Sequence, residues 1–349
     1  MEPNSITLLV LLLLAAGAAL YLLVRMRHLV SRLLAGVLAV ALAMTAGMTV
    51  VNDYYGYYQS WSQLAADLSG NYARFTVGAA NRSDPAMGGR LEKVVLAGRQ
   101  SGINRKGLVY LPPQYFAARY RHVRFPVVEL IHGSPGSPSS WVVHLDIVRV
   151  MDRLIAHHLV GPMVLVMPMM NSGNHFEECV NAPGALDDTY ITHDVRVDVE
   201  ARYRVTRSPA EWGIAGYSSG GYCAADLGMR HRASFGRVGA MDGYFRPQDG
   251  AAAGALHGNP AAEAANNPIR LAAKLPAGAS PLPAFWLSAG TGNAADMAGA
   301  RAFAAALRGL EGVPLFREPD AGHNFYAWAR PCRTCFPGCG RSWPHPRCA

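Results

Sequence analysis

Three polar residues in the second half of this 349-residue chain have the types and order that acyl chemistry needs. Ser218 is the centre of the pentapeptide Gly-Tyr-Ser-Ser-Gly, residues 216–220, which follows an apolar stretch and precedes a helix-compatible one. A serine on a sharp strand-to-helix turn is forced outward, and flanking glycines leave room for the close backbone approach that this turn requires. Alone, the pentapeptide also fits a glycine-rich turn with a surface serine, so its context decides. His323 sits in Ala-Gly-His-Asn, behind the last β-rich stretch, where an imidazole can reach back and act as general base toward Ser218. Asp296 is the only carboxylate in the run Ser-Ala-Gly-Thr-Gly-Asn-Ala-Ala-Asp at 288–296, and it falls between the serine and the histidine, as an acid that orients the imidazole should. Of the rival acids, Asp242 comes too early for that order, and Asp320 is so close to His323 that it reads as a solvated turn residue.

An acyl-transfer site also needs donors for the oxyanion. The run Val-Val-Glu-Leu-Ile-His-Gly-Ser-Pro-Gly at 127–136 is a buried-type strand entering a tight His-Gly turn, which makes the Ser134 N–H one candidate. The Ser219 N–H, next to the nucleophile, is the other. His132 on its own reads equally well as an ordinary turn histidine.

The elements that must carry these residues are legible from residue 91 onward. Short β-rich runs at 93–96, 107–111, 127–131, 163–167, 212–215, 284–288 and 314–317 alternate with helical stretches and turn signals. That alternation predicts a mainly parallel sheet with helices on both faces. Several of these runs are nearly all apolar, as central parallel strands should be. Residues 249–279, rich in Ala, Gly, Asn and Pro, interrupt the alternation and read as a cap or surface excursion over the site.

Residues 91–328 resemble the esterase family that includes esterase D and the mycolyltransferases. The likeness rests on the His-Gly turn at His132, the elbow at Ser218, the Gly-Thr-Gly turn before Asp296 and the Gly-His-Asn run at His323. It implies an α/β-hydrolase domain with a Ser218, Asp296 and His323 triad. Mycolyltransferases carry a glutamate where Asp296 stands, and the esterase-type relatives an aspartate where Asn293 stands. Transfer of mycolic acid does not follow from the likeness.

Residues 6–24 and 33–51 are apolar runs close to the roughly 20 residues that cross a bilayer. A cleaved signal for the first and a buried helical hairpin for both are the competing readings. Arg25, Arg27 and Arg32 between the runs favour a cytoplasmic loop, placing both termini and the catalytic domain outside the cytoplasm. The expected organisation is a two-helix membrane anchor (1–51), a connector (52–90) that opens on tyrosines suited to the interface, a catalytic domain (91–330) and a Cys-rich tail (331–349). In an oxidising compartment, Cys179 and Cys223 are the preferred disulfide pair. Cys332, Cys335, Cys339, His345 and Cys348 have a spacing compatible with zinc, but their aperiodic Pro, Arg and Gly surroundings favour disulfides or an unstructured end.

The formal net charge of +8 comes from scattered arginines with no continuous basic stripe, which argues against nucleic acid as a partner. The reading is therefore a serine esterase that needs no metal or organic cofactor and takes an ester substrate, such as a lipid or an acylated envelope glycan, near a membrane. An acyltransferase acting on an envelope sugar or lipid, and a catalytically silent binding protein of the envelope, are the alternatives.

Overall fold

The computed structural model describes residues 1–72, 88–170, 178–249, 252–256, 258–308, 310, 315–318 and 321–334. Asp320, Pro314, Cys335, Cys339, His345 and Cys348 lie outside the described residues, as do residues 73–87 of the expected connector. The chain divides into two compact units, Met1–Asn71 with Asn324–Tyr326, and Tyr72–His323 with Ala327–Ala349.

In the first unit, helices Ile6–Arg25 (20 residues) and Leu29–Tyr55 (27 residues) are long and apolar enough to cross a membrane. At 1.5 Å per residue the shorter one is about 30 Å long, the thickness of a bilayer's hydrocarbon core. The two pack on each other, and their buried residues are mostly small: Ala16 and Ala19 on one, Ala35, Ala39 and Ala46 on the other. Small residues let helix backbones approach closely, while Leu13, Leu14, Leu33, Leu34 and Val37 stay exposed. The second helix extends beyond the apolar run at both ends, through residues 29–32 and 52–55. Gly56, at a φ of 68°, stops it, and the Gly56 N–H donates to the Asn52 carbonyl at 2.8 Å.

The second unit is built on strands β1 (Arg90–Ala97), β2 (Asn104–Leu111), β3 (Val127–Ile131), β4 (Val164–Pro168), β5 (Asn181–Ala182), β6 (Ala185–Leu186), β7 (Trp212–Tyr217), β8 (Arg237–Met241), β9 (Ala284–Gly290) and β10 (Leu315–Glu318). Eight of them form one sheet in the order β1-β2-β4-β3-β7-β8-β9-β10. In that sheet β1 pairs antiparallel with β2 and β2 with β4, and the other pairs are parallel, while β5 and β6 form a separate antiparallel pair. This is the α/β-hydrolase arrangement. Every residue of β3, β4 and β7 is buried, which is why those stretches lack the polar alternation of a half-exposed strand. Burying each of Val127, Val128, Leu130 and Ile131 contributes about 1.5–3 kcal/mol relative to exposure.

The expected strands omit β8. Its sequence, Arg-Val-Gly-Ala-Met, has one β-branched residue and low intrinsic strand preference. Burial of Val238, Ala240 and Met241 between β7 and β9 supplies what propensity does not. Within 249–279 the described residues form short helices Ala252–Leu256, Pro260–Ala265 and Pro268–Ala273, the last two opened by proline and capped by Asn259 and Asn267. The last of these packs beside helix Ser219–Arg230, and the Tyr222 hydroxyl of that helix donates to the Asn266 carbonyl at 2.9 Å.

Candidate active site

The parallel strands run so that their C-terminal ends open on one edge of the sheet, and the sequence-selected residues stand there. At the end of β7 the chain turns into helix Ser219–Arg230 through Ser218, whose φ of 56° and ψ of −126° lie in a region that non-glycine residues rarely adopt. Such a residue costs on the order of 1–3 kcal/mol and persists only where its surroundings hold it. Here the Ser218 N–H donates to the Met241 carbonyl at 2.9 Å, and the Ser218 carbonyl accepts from the N–H groups of Gly221 and Tyr222. The turn is tight enough to require both outer glycines. A Cβ on Gly216 would come within 2.1 Å of the Gly220 carbonyl oxygen, and one on Gly220 within 2.2 Å of the Ile131 oxygen.

His323 Nε2 is 2.8 Å from Ser218 Oγ, and His323 Nδ1 is 2.6 Å from Asp296 Oδ2. Asp296 lies in the first turn of helix Ala294–Ala306, which follows β9. Asn293 caps that helix by accepting from the N–H groups of Ala295 and Asp296, and its amide donates to Asp296 Oδ2 at 2.6 Å. Burial pushes the His323 imidazole down, but the hydrogen bond and charge of Asp296, aided by the charge of Asp242, outweigh it and hold the group above its ordinary value. An imidazole bonded to a hydroxyl on one nitrogen and a carboxylate on the other can take the hydroxyl proton and be stabilised as it does so.

The turn after β3 is held by His132. Its Nδ1 faces the Gly133 carbonyl at 2.8 Å, and its Nε2 accepts from the Met170 N–H at 3.1 Å, which places the ring proton on Nδ1. Burial lowers the His132 pKa to about 4, so the ring is neutral and acts as a brace. Gly133 sits against Ser218: a Cβ there would meet the Tyr217 ring at 2.7 Å and Ser218 Cβ at 3.1 Å. Ser134, the next residue, is half-buried and joined to Pro135 by a cis peptide bond. Ser219 is buried at the start of its helix, and its Oγ has no hydrogen-bond partner among the described residues. Cys223, in the same helix, forms a disulfide with Cys179, the pair preferred from the sequence.

Asp242 also belongs to this edge, although the sequence reading set it aside. It follows β8 directly with a φ of 46°, is 2% exposed, and accepts from Gly290 N–H and Trp328 Nε1–H, each at 2.7 Å. Recognising β8 as a strand would have placed an aspartate at a strand's C-terminal end and marked it for inspection. The Trp328 ring meets the His323 ring edge to face, with centroids 5.0 Å apart, and stacks on Tyr217 at 4.5 Å.

Comparison with known proteins identifies the family and the fold. The putative esterase family matches residues 99–328. An uncharacterised protein of Corynebacterium glutamicum is 28% identical over 257 residues, 70% of this chain, and the match spans 59% of that protein's own length. Among solved structures, a ferulic acid esterase superposes with a TM-score of 0.62 at 23% identity, covering 74% of this chain and 99% of that one. An S-formylglutathione hydrolase from Agrobacterium tumefaciens gives 0.58 at 18%, covering 71% and 93%. A fluorophosphonate-binding serine hydrolase of Staphylococcus aureus gives 0.58 at 17%, covering 71% and 97%. These three likenesses establish the α/β-hydrolase fold.

Proposed function

The chain belongs to the putative esterase family, and we propose that it is a serine esterase that cleaves carboxylic esters through an acyl intermediate on Ser218. The observation that supports this reading most directly is the unbroken series of contacts from Ser218 Oγ through His323 to Asp296, at 2.8 and 2.6 Å. In the proposed reaction His323 Nε2 takes the Ser218 proton as Oγ attacks the ester carbonyl, and Asp296 stabilises the imidazolium. The Ser134 and Ser219 backbone N–H groups hold the oxyanion. His323 then returns the proton to the departing alcohol, and water repeats the sequence to release the acid.

Membrane attachment through residues 6–24 and 33–51, with the catalytic unit outside the cytoplasm, belongs to the same proposal. It is supported by the length and exposed apolar faces of the two N-terminal helices, by the arginines between them, and by a disulfide that suits an oxidising compartment. An enzyme held at a membrane meets amphiphilic esters at high local concentration, so a lipid or an acylated envelope glycan is the substrate class we propose.

The test is turnover of p-nitrophenyl acetate by the full-length chain in detergent. Ser218→Ala is expected to lower kcat by about 10⁴-fold or more while leaving the fold intact. Equal turnover by wild type and Ser218→Ala would refute the assignment.

A further inference from the structure

Asp242 is a buried anion with an unusual set of partners. Its two oxygens are used separately, Oδ1 by Gly290 N–H and Oδ2 by Trp328 Nε1–H, both at 2.7 Å. Each donor leads to one partner of His323. Gly290 ends β9 and opens the turn to Asn293 and Asp296, and the Asp242 N–H donates to the Ser288 carbonyl on that same strand at 2.8 Å. Trp328 presents its ring to the His323 ring, edge to face at 5.0 Å.

We propose that Asp242 is a positioning residue of this site, one carboxylate that fixes both the turn bearing Asp296 and the indole bearing on His323, and that stabilises the imidazolium from behind. The proposal rests on the serine-esterase reading. Asp242 is not a rival for the acid, because His323 Nδ1 faces Asp296 Oδ2.

Two arguments separate this role from plain scaffolding. The first is stereochemical: two N–H donors converge on one side chain, and only a carboxylate offers each an acceptor oxygen. An asparagine would turn its own N–H₂ against one of them. The second is electrostatic. Burial pushes Asp242 up to about 6, with Gly290 and Trp328 pulling the other way, and the charged groups acting on it are Asp296, which repels, and His323, which attracts. Above the His323 pKa the buried Asp242 carboxylate therefore lies beside the carboxylate of Asp296, and the positive charge of the imidazolium returns as His323 takes the Ser218 proton. An interaction stronger in the transition state than in the resting enzyme lowers the barrier.

The experiment compares wild type, Asp242→Asn and Trp328→Phe as full-length chains in detergent, measuring kcat and KM for p-nitrophenyl acetate over about pH 5–9, the range in which a histidine base titrates. Asp242→Asn is expected to lower kcat by about 10–100-fold with KM within about twofold, as loss of positioning does. Its acid limb should move to lower pH, since His323 loses one of the two carboxylates that hold its proton. Trp328→Phe retains the carboxylate while removing the donor to Oδ2, and should lower kcat. Wild-type kcat in either folded variant, or a kcat loss in Asp242→Asn with an unmoved limb, overturns the role. If Asp242→Asn does not fold, the kcat of Trp328→Phe decides. A wild type that turns over no ester removes the esterase reading and this role together, whereas an active wild type beside unaffected variants removes this role alone.

Discussion

Asn293 donates its side-chain amide to Oδ2 of Asp296 at 2.6 Å, the same oxygen that faces His323 Nδ1. The asparagine thus orients the carboxylate while its own Oδ1 caps the helix that carries it. Asn293→Ala should cost about 1 kcal/mol of stability from the lost cap. It should also lower kcat with little change in KM, because Asp296 gains a rotamer that no longer meets the imidazole. Thermal unfolding alongside p-nitrophenyl ester kinetics checks both effects.

In the proposed reaction the acid limb of kcat/KM reports deprotonation of His323, which must be neutral to accept the Ser218 proton. Since Asp296 and Asp242 hold its folded-state pKa above the ordinary 6.5, the half-maximal point should fall above pH 6.5. The stability linkage runs the opposite way. A raised folded-state pKa contributes stability that is fully present below the unfolded value and is lost as pH rises through the folded one. Esterase activity should therefore climb through the same pH window in which this contribution disappears. A kcat/KM profile and chemical denaturation at matched pH values measure the two.

Gly216→Ala should abolish folding of the elbow or lower the melting temperature sharply, because its Cβ would lie 2.1 Å from the Gly220 oxygen, well inside contact distance. Gly254→Ala, where the added Cβ meets nothing within 4 Å, serves as the control and should melt like wild type. Soluble yield and thermal melts of the two variants side by side decide this.

Cys179 and Cys223 are 44 residues apart and both fully buried. Their crosslink restricts the unfolded chain, and a loop of this size is worth about 2–4 kcal/mol. The double variant Cys179→Ala/Cys223→Ala should lose stability of that order in denaturant unfolding. An unchanged midpoint would mean that packing around the two positions compensates fully.

The legible parts of this protein were those in which local sequence and tertiary demand agree. The elbow at Ser218 announces itself because the tight turn excludes every residue but glycine at 216 and 220, and β3, β4 and β7 announce themselves because strands buried on both faces must be apolar throughout. The strand at 237–241 was illegible for the converse reason: Gly239 and Ala240 carry no strand preference, and neighbours on both sides impose the conformation. Missing that strand also hid Asp242, whose importance comes from contacts with Gly290 and Trp328, residues far along the chain. Asn293 was seen as a departure from the resembled family, but its bond to Asp296 depends on a cap geometry that only coordinates reveal.

The proposed reaction depends on activation of Ser218 as a nucleophile by His323. Treating the full-length chain with a fluorophosphonate and mapping the adduct by peptide mass spectrometry tests it most directly. A covalent label on Ser218 that is absent in Ser218→Ala and much slower to form in His323→Ala is the result expected. A folded chain that takes no label, or takes it on another residue, would contradict the account.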